Sequence, residues 1–230
     1  MKREKEVYLQ LKYQLIMHKL KQVFCALIFF FLCLGSRAQP LPDSVKTLYI
    51  SASSDYAKHE CLHIYLENIR NDSNFNTIAA ELQRYFRNKN DQSSFDYVEL
   101  TKIGVKSKTG NYANALDKSL EYVKIFHDRQ DDYGEVLANY RVTQALYYAD
   151  ELEESNVYNL SKLPLALKLK NNRELALCYN AIASVCAVLN KADSGILYAN
   201  KGLYYAKKVD AEMVASISGK IGRASCRERV

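Results

Sequence analysis

His59-Glu60-Cys61-Leu62-His63 is a stretch whose residue types and spacing could do chemistry. On a helix, two histidines four residues apart project from one face. There they can hold Zn²⁺, with the intervening glutamate activating a bound water. Such a centre needs a third protein ligand, and Glu81, 18 residues past His63, is the nearest candidate in sequence. Other catalytic patterns are missing: the chain has no G-x-x-x-x-G-K-[ST], no G-x-G-x-x-G and no G-x-S-x-G. The acidic pairs Asp131/Asp132 and Glu153/Glu154 fall at expected helix starts, where negative charge complements the macrodipole. Tyr147/Tyr148 and Tyr204/Tyr205 read as packing or half-exposed surface, since a tyrosine carries a large apolar ring with one polar tip.

The five-residue motif resembles that of zinc metallopeptidases, a resemblance that implies a sheet of some length ahead of the metal helix. Residues 39–58 read as helix instead. The sequence therefore predicts no metal, no cofactor and no catalytic residue, with His59 and His63 solvated or half-buried on a capping helix.

The elements that would position any site begin after residue 38. Lys19 and Lys21 precede an apolar run from Val23 to Leu34, followed by Gly35, Ser36, Arg37 and Ala38. This is the charged, apolar and small-residue order of a secretory signal peptide cut after Ala38. The apolar run is short of the roughly 20 residues that span a bilayer. Met17 lies just before a leader of ordinary length, so translation is expected to start there. The reading places the protein in the periplasm or outside the cell, with membrane contact only through the leader or a missing C-terminal region.

That leader reshapes the charge balance. The formal net charge is +6. Residues 1–38 carry seven Lys/Arg against two Asp/Glu, and residues 221–230 carry three against one. Residues 39–220 hold 22 Lys/Arg against 23 Asp/Glu, with no basic run interleaved with aromatics. Nucleic-acid binding thus lacks its electrostatic footprint. With 48% hydrophobic and 25% charged residues the chain can bury a core, and 8 Gly with 3 Pro exclude a collagen-like or turn-rich all-β protein. Cys178 and Cys186 are eight residues apart in a helical stretch, about 12 Å along the axis. A disulfide needs Cα atoms within about 7 Å, so both read as buried small hydrophobes.

The chain repeats at a shift of 40. Gly110, Asp150 and Asn190 align as turn formers; Ala115, Ser155 and Gly195 align as small residues. Phe126, Ala166 and Ala206 align as apolar positions, as do Val123, Leu163 and Leu203. Each unit reads as two helices, with apolar residues at 3–4 spacing such as Leu175, Ala176, Tyr179, Ile182 and Val185. Small residues at fixed offsets let the two helices of a hairpin approach closely. The predicted boundaries are a degenerate pair at 39–90, units at 91–130, 131–170 and 171–210, the start of a fourth at 211–222, and a tail at 223–230. That tail abandons the apolar pattern and reads as non-native, so the chain is expected to be part of a longer protein. Gly104 is one residue out of register, which predicts a shifted or early end to the first unit's first helix. Pro164 is expected to kink the helix around it.

These units resemble the tetratricopeptide repeat family. Ile182-Ala183, Cys186, Asn190, Ala192, Gly195, Gly202 and Leu203 stand at that family's signature positions, and Gly110-Asn111-Tyr112-x-x-Ala115-Leu116 is close to its loop signature. The family period is 34, and Lys162 stands where it places a small residue. The resemblance implies an all-α, right-handed superhelix of antiparallel hairpins whose first helices line a concave groove for a protein or peptide partner. Carried over position by position, the groove residues are Tyr97, Thr101, Tyr140, Arg141, Gln144, Tyr148, Asn180 and Ser184, with Tyr140, Arg141 and Tyr148 the richest patch. The function implied is a non-enzymatic binding scaffold. The alternative is the N-terminal sensory part of a membrane-bound histidine kinase or helix-turn-helix regulator.

Overall fold

Six residues with left-handed backbone set the rhythm of the fold. A computed structural model describes residues 49–209 and Val214. Within it φ is positive at Asn90, Gly110, Gln130, Asp150, Lys170 and Asn190, one every 20 residues. At four of these joints the next residue closes a six-residue loop back onto the ending helix. Asp91, Asp131, Glu151 and Lys191 donate their backbone N–H to the carbonyls of Phe86, Phe126, Leu146 and Cys186 at 2.8–2.9 Å. This is the Schellman arrangement, in which one left-handed residue lets the last carbonyls of a helix find donors. Gly110, Asp150 and Asn190, aligned by the sequence repeat, are three of the six.

The joints separate seven of the eight helices that lie wholly among the described residues, and a turn at 70–74 sets off the first: α1 Asp55–Ile69, α2 Phe75–Asn88, α3 Gln92–Ser107, α4 Tyr112–Asp128, α5 Asp132–Tyr148, α6 Leu152–Leu169, α7 Asn172–Val188 and α8 Ala192–Ala206. Three first helices begin on a side-chain cap at the same 40-residue shift. Asp91 accepts from the Ser94 N–H and Asp131 from the Gly134 N–H, both at 3.0 Å; Asn171 accepts from Arg173 at 2.9 Å and Glu174 at 3.2 Å. Each cap satisfies N–H groups that the helix leaves without partners. The second helices α4, α6 and α8 begin on Asn111, Glu151 and Lys191, none of which makes a side-chain cap bond.

The described residues form an all-α helical-repeat solenoid of two layers. The odd-numbered helices pack side by side, and each even-numbered helix from α2 to α8 packs against its odd-numbered neighbours in sequence. α1 departs from this scheme, since it meets α2 only slightly and packs on α3 instead. The core runs along the layer boundary. Phe126, Ala166 and Ala206 are all fully buried there, and Ala115, Ser155 and Gly195 are buried at the close approaches. A Cβ on Gly202 would lie 3.3 Å from the Ala176 carbonyl oxygen, so this crossing leaves almost no room for a side chain.

One expectation about helix continuity changes. α3 does not shift or stop at Gly104; it continues to Ser107. The residue serves a different purpose, because a Cβ there would lie 2.6 Å from the Arg141 guanidinium. α6 runs on through Pro164 to Leu169. The expectations for residues 1–38, for the unit beginning at Ala211 and for the tail at 223–230 fall outside the described residues. Among the described residues no helix is long and apolar enough to cross a membrane.

Candidate partner-binding face

The first helices α3, α5 and α7 lie in one layer, and α1 touches all three. Spacing explains how. Tyr56, His59/Glu60, His63 and Glu67 follow one another at three- and four-residue steps, so they share one side of α1. The His59 ring stacks on Tyr97 of α3, with centroids 4.3 Å apart. Tyr56 tilts against Tyr133 of α5 at 5.0 Å, and His63 meets the same ring edge-on at 6.3 Å. Glu67 is paired with Arg141 of α5. At the start of α7, the Asn171 amide donates to the Tyr56 hydroxyl and to Glu60 Oε1, both at 2.6 Å.

Three of the expected groove positions are buried in this arrangement. With α1 in place, Tyr97, Thr101 and Arg141 are closed to solvent: their exposures are 1%, 1% and 2%. Tyr97 lies beneath His59, and its hydroxyl donates to both carboxylate oxygens of Asp131 at 3.0 and 2.9 Å. Thr101 donates to the Tyr97 carbonyl at 3.1 Å, one turn back on its own helix. Arg141 donates to Gln144 Oε1 at 3.2 Å and to Glu67. Tyr140 and Gln144 are half-buried beside it, and Tyr148 is exposed at the far end of α5. Asn180 and Ser184 are half-buried on α7, where the Ser184 hydroxyl donates to the Asn180 carbonyl at 2.8 Å. The structure thus brings Tyr140, Arg141 and Gln144 together, sets Tyr148 on the open continuation of their helix, and covers Tyr97 and Thr101.

The two motif histidines are also buried rather than solvated, at 7% and 4% exposure. Glu60, the residue that would activate water in a zinc site, accepts from Asn171. Among the described residues no three His, Cys, Asp or Glu side chains gather as metal ligands. Glu81 is half-buried on α2. Cys61, Cys178 and Cys186 are free thiols, and the last two are buried.

Residue patterning did not single out the charged groups below this face. Lys162 of α6 is 4% exposed; its ammonium donates to Thr143 Oγ1 at 3.1 Å and lies 5.5 Å from the Tyr140 ring centre. Burial pulls it down to about 8, although Glu174 attracts it. Glu174, in the first turn of α7, is 3% exposed and its Oε1 has no partner. Burial pushes its carboxyl up to about 7, with Glu67 and Glu60 adding to the rise. Burial also pushes the Glu67 carboxyl up, but Arg141, His63 and Arg70 outweigh it and hold the group down at about 2. His63 is held down at about 4, chiefly by burial. The Tyr133 hydroxyl, Arg141 Nε and Asn159 Oδ1 are further buried polar atoms without a partner. The one sequence signal for this cluster was Lys162, a long cation at a position where the repeat calls for a small residue.

No family model matches the chain, and no curated protein matches it in sequence.

Proposed function

We propose that the protein is a non-enzymatic scaffold that binds a protein or peptide partner, and that its hairpins are tetratricopeptide-like. The observation that carries this reading is the shared face of α3, α5 and α7, which accommodates a helix, α1, across it. A surface of side-by-side helices that takes one further helix supplies what helix-in-groove recognition needs: a row of anchors one turn apart with polar groups to fix register. The 40-residue rhythm of caps and left-handed joints supports a stack of equivalent hairpins, an architecture that builds extended binding surfaces. The apolar run at 23–34 with its basic flank and small-residue end supports export to the periplasm or cell surface. The two motif histidines pack on Tyr97 and Tyr133, which favours an anchoring role for them over a catalytic one.

Peptide-library panning on the full chain tests this reading. Enriched peptides should lose at least tenfold in affinity on Gln144→Arg or Tyr148→Ala and be unaffected by Val157→Ala on α6. Failure to enrich any peptide, or binding indifferent to Gln144 and Tyr148, would overturn it.

A further inference from the structure

We propose that α1 is a displaceable occupant of the α3–α5–α7 face, and that the partner which replaces it is a helical peptide carrying a Lys or Arg followed, two turns later, by an Asp or Glu. This inference rests on the scaffold reading and names the partner's chemistry.

Three observations carry it. First, α1 is bound where a partner would bind and is only slightly joined to its own neighbour α2. Its side chains reach α5 and the Asn171 cap of α7, so it bridges three hairpins rather than completing one. Secondly, beside the buried anchors Leu62 and Leu66, the contacts that fix the register of its inner side are polar or aromatic: Glu67 to Arg141, Glu60 and Tyr56 to Asn171, and His59 on Tyr97. A face recognised by paired charges and hydrogen bonds is read by complementarity, and a better-matched helix competes on those same pairs.

Thirdly, α1 matches one end of the face and mismatches the other. At Arg141 the match is good, since Glu67 gives the guanidinium a carboxylate. Its Nε is still unpaired, so a carboxylate able to engage both Nε and a terminal nitrogen would bind more fully. At the other end α1 places Glu60 on the Asn171 cap, whose Oδ1 accepts from the Glu174 N–H at 3.2 Å; Glu174 Oε1 is buried and unpaired, and so is the Tyr133 hydroxyl. Glu60 adds negative charge to a place that already holds a buried carboxylate. An unsatisfied buried acceptor is costly, and a cation from the occupant would satisfy it. Positions 60 and 67 are two helical turns apart on one side of α1. Replacing the acid at the first and keeping the acid at the second defines the partner's pattern.

A fluorescein-labelled peptide of residues 53–70 carrying Glu60→Lys, titrated into the full chain by anisotropy, tests this. Hydrogen exchange of the α1 amides is followed in parallel. The unaltered chain should bind weakly, because its own α1 competes at high effective concentration. A full chain with Glu67→Arg, which sets two cations together, should release its α1 amides at least tenfold faster. That chain should bind the peptide at least tenfold more tightly, and adding Arg141→Gln should cancel the gain while circular dichroism keeps its helix content. A Glu67→Gln chain, which removes the pair without repulsion, should show the same changes at threefold or more and serves if Glu67→Arg does not fold.

Unchanged α1 protection in both Glu67 variants would overturn the proposal by making α1 a permanent part of the fold. Released α1 without peptide binding would overturn the partner's chemistry, as would binding indifferent to Arg141→Gln. Panned peptides that bind without releasing α1 would overturn this inference alone and leave the scaffold reading standing.

Discussion

Arg141 on α5 reaches Glu67, 74 residues earlier in the chain, by passing over Gly104 on α3. Three helices meet in that one ion pair, which is buried at Arg141 and half-buried at Glu67, with side-chain exposures of 2% and 15%. Breaking a buried pair by removing one partner is strongly destabilising, because the other charge is left without compensation. The contact therefore couples the position of α1 to the backbone of α3.

Gly104→Ala tests that coupling. In an exposed helix interior the change would add about 1 kcal/mol through helix propensity. Here the new Cβ would stand 2.6 Å from the guanidinium carbon and push Arg141 off Glu67. A net loss of about 1–2 kcal/mol in urea unfolding is expected, with faster amide exchange in α1. A gain in stability would show that Arg141 has room to move aside.

Two buried groups should give the protein a flat pH profile by cancellation. His63 titrates at about 4 against an ordinary 6.5, so the unfolded chain binds the extra proton and stability from this group falls as pH drops from about 6.5 to 4. His59, also lowered mainly by burial, acts in the same direction. Glu174 titrates at about 7 against 4.5, so the folded chain binds the extra proton; its contribution is present below about 4.5 and is lost as pH rises through 7. Between about 4.5 and 6.5 the two slopes oppose. Glu174→Gln should uncover the histidine slope, with stability rising by on the order of 3 kcal/mol from pH 4 to 6.5. His63→Gln should uncover the opposite slope over pH 4.5 to 7. Urea midpoints at four pH values decide it, and identical slopes in all three proteins would refute the assignment.

Lys162→Met should stabilise the fold. The ammonium is buried with one hydrogen bond, to Thr143 Oγ1, and burial holds it down at about 8. Methionine keeps the length of the stem without a charge to desolvate. Thr143 keeps a partner, since its hydroxyl also donates to the Tyr140 carbonyl at 2.9 Å. A gain of about 1–2 kcal/mol near pH 7 is expected by thermal or urea unfolding. A loss of similar size would mean that the Lys162 charge contributes more than its desolvation costs.

The left-handed joints allow a paired test of backbone strain. Gln130 adopts φ 58°, and Gln130→Gly should stabilise by about 0.5–1 kcal/mol. Gly110 adopts φ 96° with no atom within 4 Å of a Cβ placed there, so Gly110→Ala should cost about 1 kcal/mol through backbone strain alone. Equal stability in both variants would remove the joints as a source of strain.

The sequence by itself determined the all-helical repeat and its 40-residue rhythm, because both rest on local chemistry. Gly110, Asp150 and Asn190 tolerate positive φ, Asp131 caps the helix it precedes, and apolar residues at 3–4 spacing mark the buried side of each helix. Phe126, Ala166 and Ala206 lie in the core for that reason. What covers each buried side is a different matter, and only the tertiary structure decided it. Tyr97, Thr101 and Arg141 have the spacing of groove residues, yet all three are buried and α1 lies over Tyr97 and Arg141. The same local pattern made Gly104 look like a register error, when its missing side chain makes way for a contact from a helix 37 residues further on. Helical periodicity fixes which side of a helix turns inward, at a range of three or four residues. Which helix returns to meet that side depends on contacts such as Glu67 with Arg141, whose partners are 74 residues apart and leave no periodic trace.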